Sequence, residues 1–199
     1  LLWVTPLRAL AKDLGRAMEE ALQELNVPWK VGIRSGDTPI ATRQQQKKQM
    51  PEVLIITPES LHLLMAQKGY ATVFTHLHTV VVDEWHELIG SKRGVMVELG
   101  LSRLKGLTLK SNRPPLKIWG ISATIGNLEE ALDVLMGSTH TNTTIIKAKL
   151  TKKIDLESVL PEEIEKFPWA GHLGIKLVHR AIPIILNSKT TLIFTNTRS

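Results

Sequence analysis

Apolar residues fall along this chain in short unbroken runs, separated by stretches with helical spacing. The runs are residues 2–4, 30–33, 53–56, 79–82, 117–121, 144–148 and 191–195. Most are rich in β-branched side chains, with apolar residues in succession rather than alternating, the pattern of strands buried on both faces of a parallel sheet. Between them, Leu10, Leu14, Ala17, Met18, Ala21, Leu22 and Leu25 recur at helical spacing and mark one expected buried face. Asn127 with Glu130 forms a capping box, and the helix it opens should run to about Met136 and stop at Gly137. Thr5-Pro6 and Thr57-Pro58 each follow a run. In both, Thr is the expected N-cap and Pro the first helical residue, where a missing N–H costs nothing. Strands alternating with helices predict an α/β fold with a doubly wound, mostly parallel sheet.

The pattern changes near Lys147. Residues 149–153 are basic, and Pro161 to Pro168 reads as a linker. A second helical stretch over 171–186, interrupted by Pro183, leads into the last run. These shifts predict a first domain over residues 1–148, a linker over 149–170 and the start of a second domain over 171–199. The chain begins without Met inside one strand-like run and stops just after another, which reads as a piece of a longer protein. No repeat of 20–50 residues is evident.

Composition narrows the class. The chain is 43% hydrophobic and 22% charged, an ordinary globular balance. No apolar run reaches the roughly 18 residues that cross a bilayer. The absence of cysteine excludes disulfides and thiolate metal sites and fits a reducing cytoplasm. A net charge of +6 suits a polyanionic partner without requiring one.

The candidate chemistry centres on Asp83-Glu84-Trp85-His86, directly after the run 79–82. In an α/β sheet that places both carboxylates at a strand's C-terminal end, where ligands bind. Asp83 there suits Mg²⁺ held through water, since Mg²⁺ prefers oxygen ligands and sheds water reluctantly. Glu84 suits a base that polarises water for phosphoryl transfer, and His86 suits a nucleotide sensor. Taken alone, the pair reads more readily as a solvated acidic turn than as a catalytic site. A His-Glu-x-x-His metal site is excluded because Gly90 occupies the last position.

Thr5 and Thr57, with Arg8 and Ser60, offer two places to grip a phosphate backbone; plain capping is the bland alternative. Gly36-Asp37-Thr38 is a turn by composition. Arg43, Lys47 and Lys48 read as a solvated helix face, and residues 103–117, with five basic residues and no acid, as a mobile basic loop; contact with phosphates is the lesser alternative for both. His76 and His78 read as surface residues. Ser122-Ala123-Thr124 ends a strand where small hydroxylated residues suit a bond to His86. No Gly-x-x-x-x-Gly-Lys-Ser/Thr occurs, and Ser188-Lys189-Thr190 lacks the glycines and precedes its strand. A nucleotide enzyme needs that cradle, so it is expected upstream of Leu1.

In order, these segments resemble the superfamily-two helicases. Thr5-Pro6-Leu7-Arg8-Ala9-Leu10 is similar to motif Ia, and Ser35-Gly36-Asp37-Thr38 to the next nucleic-acid motif. Thr57-Pro58-Glu59-Ser60-Leu61 is similar to motif Ib, and Asp83-Glu84-Trp85-His86 to the Asp-Glu-x-His motif II. Ser122-Ala123-Thr124 is similar to motif III, and residues 192–198 to motif IV. Residues 83–94 and 167–172 narrow the resemblance to the large helicase-related proteins, closest to the DEXH-box type associated with a DNA ligase. The resemblance implies two RecA-like domains, the first incomplete because motif I is missing. It implies ATP and Mg²⁺ as cofactors, with Asp83 on the ion, Glu84 as catalytic base, and His86, Ser122 and Thr124 coupling hydrolysis to movement. Thr5, Pro6, Arg8, Gly36, Asp37, Thr38, Thr57, Pro58, Ser60, Thr195 and Arg198 would contact nucleic acid. The implied partners are single-stranded or partly duplex DNA, or RNA, with a DNA ligase and a repair nuclease, in the cytoplasm of a bacterium or archaeon. The alternative is a non-catalytic α/β module that binds nucleic acid or protein.

Overall fold

The computed structural model describes residues 1–110, 113–123, 125–137, 142–148, 155–159 and 177–194. Five strands form one parallel sheet: β1 (Leu2–Val4), β2 (Val31–Arg34), β3 (Val53–Ile56), β4 (Thr79–Val82) and β5 (Lys117–Gly120), in the order β2-β3-β1-β4-β5. Their register aligns Arg34, Ile56, Val4, Val82 and Gly120 in a single row across the sheet. The chain's next residues, Ser35, Thr57, Thr5, Asp83 and Ile121, therefore share the C-terminal edge.

Both faces of the sheet explain the unbroken apolar runs. On one face Leu2, Val4, Leu54, Ile56, Val80 and Val82 join the main core. That core also takes in α3 (Pro58–Met65), α5 (Trp85–Leu88), α6 (Lys92–Lys110) and α7 (Leu128–Met136). On the other face α1 (Arg8–Glu24) lies against β2 and β3 through Gly15, where a Cβ would sit 2.9 Å from Ile33 Cδ1. The close helix–sheet approach leaves room for a larger residue there only if the Ile33 side chain shifts. The remaining helices are α2 (Ile40–Lys48) and α4 (Tyr70–Val73), and α8 (Val178–Leu186) near the C-terminus.

Several expectations change. The α1 helix begins at Arg8 with extended Leu7 as N-cap and no side-chain cap, so Thr5-Pro6 does not open it. Thr5 instead continues the ladder, its N–H bonding Ile56 O at 3.0 Å. Of the predicted α1 face, Leu10, Leu14, Met18 and Leu22 are half-buried, but Ala17, Ala21 and Leu25 are exposed. The face turns toward Ala11 and Gly15, the two buried residues, because close packing selects the smallest side chains. The basic stretch from Arg103 is helix as far as Lys110, since Leu101, Leu104 and Thr108 keep a buried helical stripe beneath the charges.

Residues 144–148 and 191–194 form no strand. Ile146 is 91% exposed, and without a neighbouring strand to pair with, β-branched composition does not make a strand. Pro183 lies inside α8 without ending it. The predicted cap at α7 forms: Asn127 Oδ1 accepts the Glu130 N–H at 3.2 Å, while the Glu130 carboxylate returns to the side-chain Nδ2 of Asn127 at 2.9 Å rather than to its backbone N–H. The chain divides into two compact units, Leu1–Thr144 and Ile145–Ser199. The linker residues 161–170 lie outside the described residues.

Candidate functional site

The site is built on the shared strand edge. Asp83 follows β4 and its N–H bonds Val4 O at 2.8 Å, holding it in the ladder. Its side chain is oriented by two donors. The Glu84 N–H reaches Oδ1 at 3.0 Å, and the Trp3 indole N–H reaches Oδ2 at 3.2 Å. Together the two bonds fix the direction in which the carboxylate points. Glu84 then turns the chain with φ 49° and ψ 45°, a left-handed conformation that costs a side-chain-bearing residue roughly 1 kcal/mol or more. The turn starts α5 and separates the Glu84 side chain from the strand's own alternation. Trp85, next in line, is buried, and its indole donates to Ala131 O at 2.9 Å. This ties the acidic turn to α7.

His86 faces the end of β5. Its Nδ1 accepts the Ala123 N–H at 3.2 Å and lies 3.3 Å from the Ser122 hydroxyl. A ring nitrogen that accepts carries no proton, so in this arrangement the proton sits on Nε2. Glu84 Oε2 stands 3.4 Å from the same Nδ1. That contact becomes an ion pair only when His86 is protonated, which would also break the bond from Ala123. The ring can thus side with the end of β5 or with Glu84, but not fully with both. Thr124 lies outside the described residues.

The second half of the edge is a turn and two strand ends. After β2, Thr38 Oγ1 accepts the Ser35 N–H at 2.9 Å and donates to Ile33 O at 3.2 Å, closing the Ser35–Thr38 turn. Arg8 Nη1 pairs with Asp37 Oδ1 at 2.8 Å, and a Cβ on Gly36 would come within 3.0 Å of Arg8 Nη2. Gly36 therefore lets the guanidinium lie across the turn. Both partners are largely exposed, so the pair orients more than it stabilises.

Thr57 caps α3 as expected, accepting the Ser60 N–H at 3.4 Å, with Pro58 in the first turn; both hydroxyls are buried and 3.1 Å apart. Thr5 Oγ1 is buried with no partner among the described residues. Thr195 and Arg198 lie outside the described residues.

Sequence reading missed Trp3, Trp85 and Arg43. Arg43 is no solvated residue: its Nη2 donates to Ser35 O at 2.9 Å and Gly36 O at 2.8 Å, clamping the turn from α2. Its neighbours Lys47 and Lys48 are exposed as read, as are His76 and His78. Strand parity offered one signal for Trp3, because it shares a sheet face with the position of Asp83 on a neighbouring strand.

Among the described residues no group of three or more His, Asp or Glu forms a ready metal cage. A single oriented carboxylate, Asp83, fits Mg²⁺ bound mainly through water and substrate phosphates. No helix among the described residues is long and apolar enough to cross a membrane.

The DEAD/DEAH box helicase family matches residues 1–131. The chain is 34% identical to the ATP-dependent helicase Lhr-Core of Sulfolobus acidocaldarius, over 99% of this chain and 23% of that protein. The structure of the Mycobacterium smegmatis helicase Lhr bound to ssDNA and AMP-PNP superposes with a TM-score of 0.75 at 31% identity, covering 99% of this chain and 26% of that one. The helicase MrfA bound to DNA and AMPPNP gives 0.59 at 28% identity, over 68% of this chain and 19% of that one. The chain spans about a quarter of the length of the curated relative it matches.

Proposed function

Since the chain belongs to the DEAD/DEAH box helicases and has a RecA-like α/β fold, we propose that it forms part of an ATP-driven motor that moves along and unwinds nucleic acid. One observation carries this reading. A single row of strand ends brings Asp83-Glu84 beside the Thr5, Ser35 and Thr57 turns, with His86 bonded to the end of β5. Hydrolysis and strand contact then share one edge.

Asp83, oriented by Trp3 and the Glu84 N–H, would hold Mg²⁺ through water. The ion would supply charge neutralisation on the ATP phosphates. Glu84 takes the proton of the attacking water, and its turned-out backbone directs its carboxylate off the strand axis. His86 reports the state of Glu84 to Ser122 and Ala123 by exchanging one hydrogen bond for the other. Arg8, lying over the Ser35–Thr38 turn, offers its guanidinium to a backbone phosphate. Such contacts are indifferent to sequence and weaken with salt.

The substrate in this reading is single-stranded or partly duplex DNA, with a role in repair beside a DNA ligase and a nuclease in the cytoplasm of a bacterium or archaeon. The DNA-bound relatives support DNA over RNA. In the full-length polypeptide, Glu84→Gln is expected to cut DNA-stimulated ATP hydrolysis about 100-fold or more while nucleotide binding holds. Unchanged turnover in that variant would refute the assignment.

A further inference from the structure

Between α2 and α3 runs a groove of about 490 Å³, lined among others by Arg34, Arg43, Lys47, Ser60, Leu63 and Gln67, with no acidic residue in its lining. Arg34 forms part of that lining at the end of β2 and is only 4% exposed. Its Nη1 bonds Arg43 O at 3.1 Å and Gln46 Oε1 at 3.4 Å, and no carboxylate pairs with it among the described residues. The contrast with its neighbours is sharp: Arg8 has Asp37, and Arg93 has Glu59. A buried guanidinium without a counter-charge is costly unless an anion joins it. Burial, and then the nearby Arg43, push the Arg34 guanidinium below its usual range.

The groove is continuous with the strand-binding edge. Ser60, in the first turn of α3, stands in its lining, and Arg43 both lines it and clamps the Ser35-Gly36 turn. Its other walls suit a nucleic-acid strand as well. Exposed Leu63 and Ile40 give an apolar side for a sugar, while Lys47 and Arg43 in the lining bring positive charge to it.

We propose that this groove is a phosphate subsite for the nucleic-acid backbone, formed by Arg34, Arg43 and Lys47 beside the Ser60 turn. It extends the strand track from the sheet edge down between two helices, and it rests on the reading of the chain as a nucleic-acid motor. Lys47 is the clean probe, because it is exposed, lines the groove and has no structural bond in the described residues. Lys48, the next residue on the same helix, is also exposed and does not line the groove.

The test is binding of a labelled single-stranded oligonucleotide by wild-type, Lys47→Gln, Lys48→Gln and Leu63→Glu proteins across a salt series. Each phosphate neutralised by protein adds about 0.7 to the salt slope on single strands. Lys47→Gln is expected to lower the slope by about that amount, so the affinity lost between about 50 and 200 mM salt shrinks roughly 2- to 3-fold. Lys48→Gln should leave the slope unchanged, and Leu63→Glu, placing a carboxylate in the groove, should weaken binding several-fold. Equal slopes for the two lysine variants, or normal binding by Leu63→Glu, would overturn the subsite while leaving the motor reading intact. No oligonucleotide binding by the wild type would overturn both.

Discussion

Two threonines at equivalent strand ends meet different fates, and their substitutions should differ in sign. Thr57 caps α3, so Thr57→Ala is expected to cost about 1 kcal/mol, measured by denaturant unfolding. Thr5 buries an unbonded hydroxyl, and Thr5→Val, which keeps the shape and removes the orphan group, should be neutral or stabilising by up to about 1 kcal/mol. Loss of stability on Thr5→Val would mean the hydroxyl has a partner in solution.

Trp3 supports a third prediction. Its bond to Asp83 Oδ2 fixes the carboxylate, so Trp3→Phe should raise the Mg²⁺ needed for half-maximal ATP hydrolysis about 10-fold with little change in the maximal rate. A fall in maximal rate at unchanged Mg²⁺ demand would instead mark a general packing defect. Asp83, Glu84, His86 and Ser122 were legible in the sequence because strand ends are positions a pattern can find. Trp3 was not, because its partner lies 80 residues away and only the finished sheet brings them together. Arg43 was misread because its setting of glutamines and lysines looks like any solvated helix.

At the scale of elements, the short α5 and the start of α6 hold the acidic turn in place. Ser91 Oγ accepts the Gly94 N–H at 3.1 Å and donates to Leu88 O at 2.6 Å, so one hydroxyl joins the two helices. Arg93 grips Glu59 with two bonds and ties the start of α6 to that of α3. Gly94 is packed so tightly that a Cβ would overlap the Leu88 carbonyl oxygen. Gly94→Ala should therefore cost roughly 1–3 kcal/mol. It should also depress ATP hydrolysis, since α5 carries His86. Full stability in a thermal melt would contradict that packing.

Strands β1, β3 and β4 were readable because a strand buried on both faces is apolar at nearly every position; β2 and β5 are less buried and kept only consecutive apolar residues as a signal. The runs at 144–148 and 191–194 look the same in sequence and are not strands, because strand identity depends on a neighbour the local sequence does not name. The start of α1 escaped for a related reason: Thr-Pro signals a turn toward a helix, but extended Leu7 delays it.

For the whole molecule, strand order β2-β3-β1-β4-β5 differs from chain order, and only the folded sheet brings residues 5, 35, 57, 83 and 121 to one edge. The motifs gave the order of these segments along the chain; their lateral arrangement is a property of the packed sheet. Because Leu1–Thr144 is a compact unit, a chain ending at Thr144 should keep the same cooperative melt within a few degrees, as read by circular dichroism. A broad, non-cooperative transition would show that later residues are needed.

The outermost strand also has a colloidal consequence. β5 ends the sheet among the described strands, and along it Trp119 is 62% and the following Ile121 41% exposed. Unpaired peptide groups beside exposed apolar side chains are a template for another chain. Concentrated samples should therefore thicken into oligomers by edge-to-edge pairing, with light scattering rising steeply with concentration. Ile121→Lys, a charge set beside that edge, should hold the particles apart.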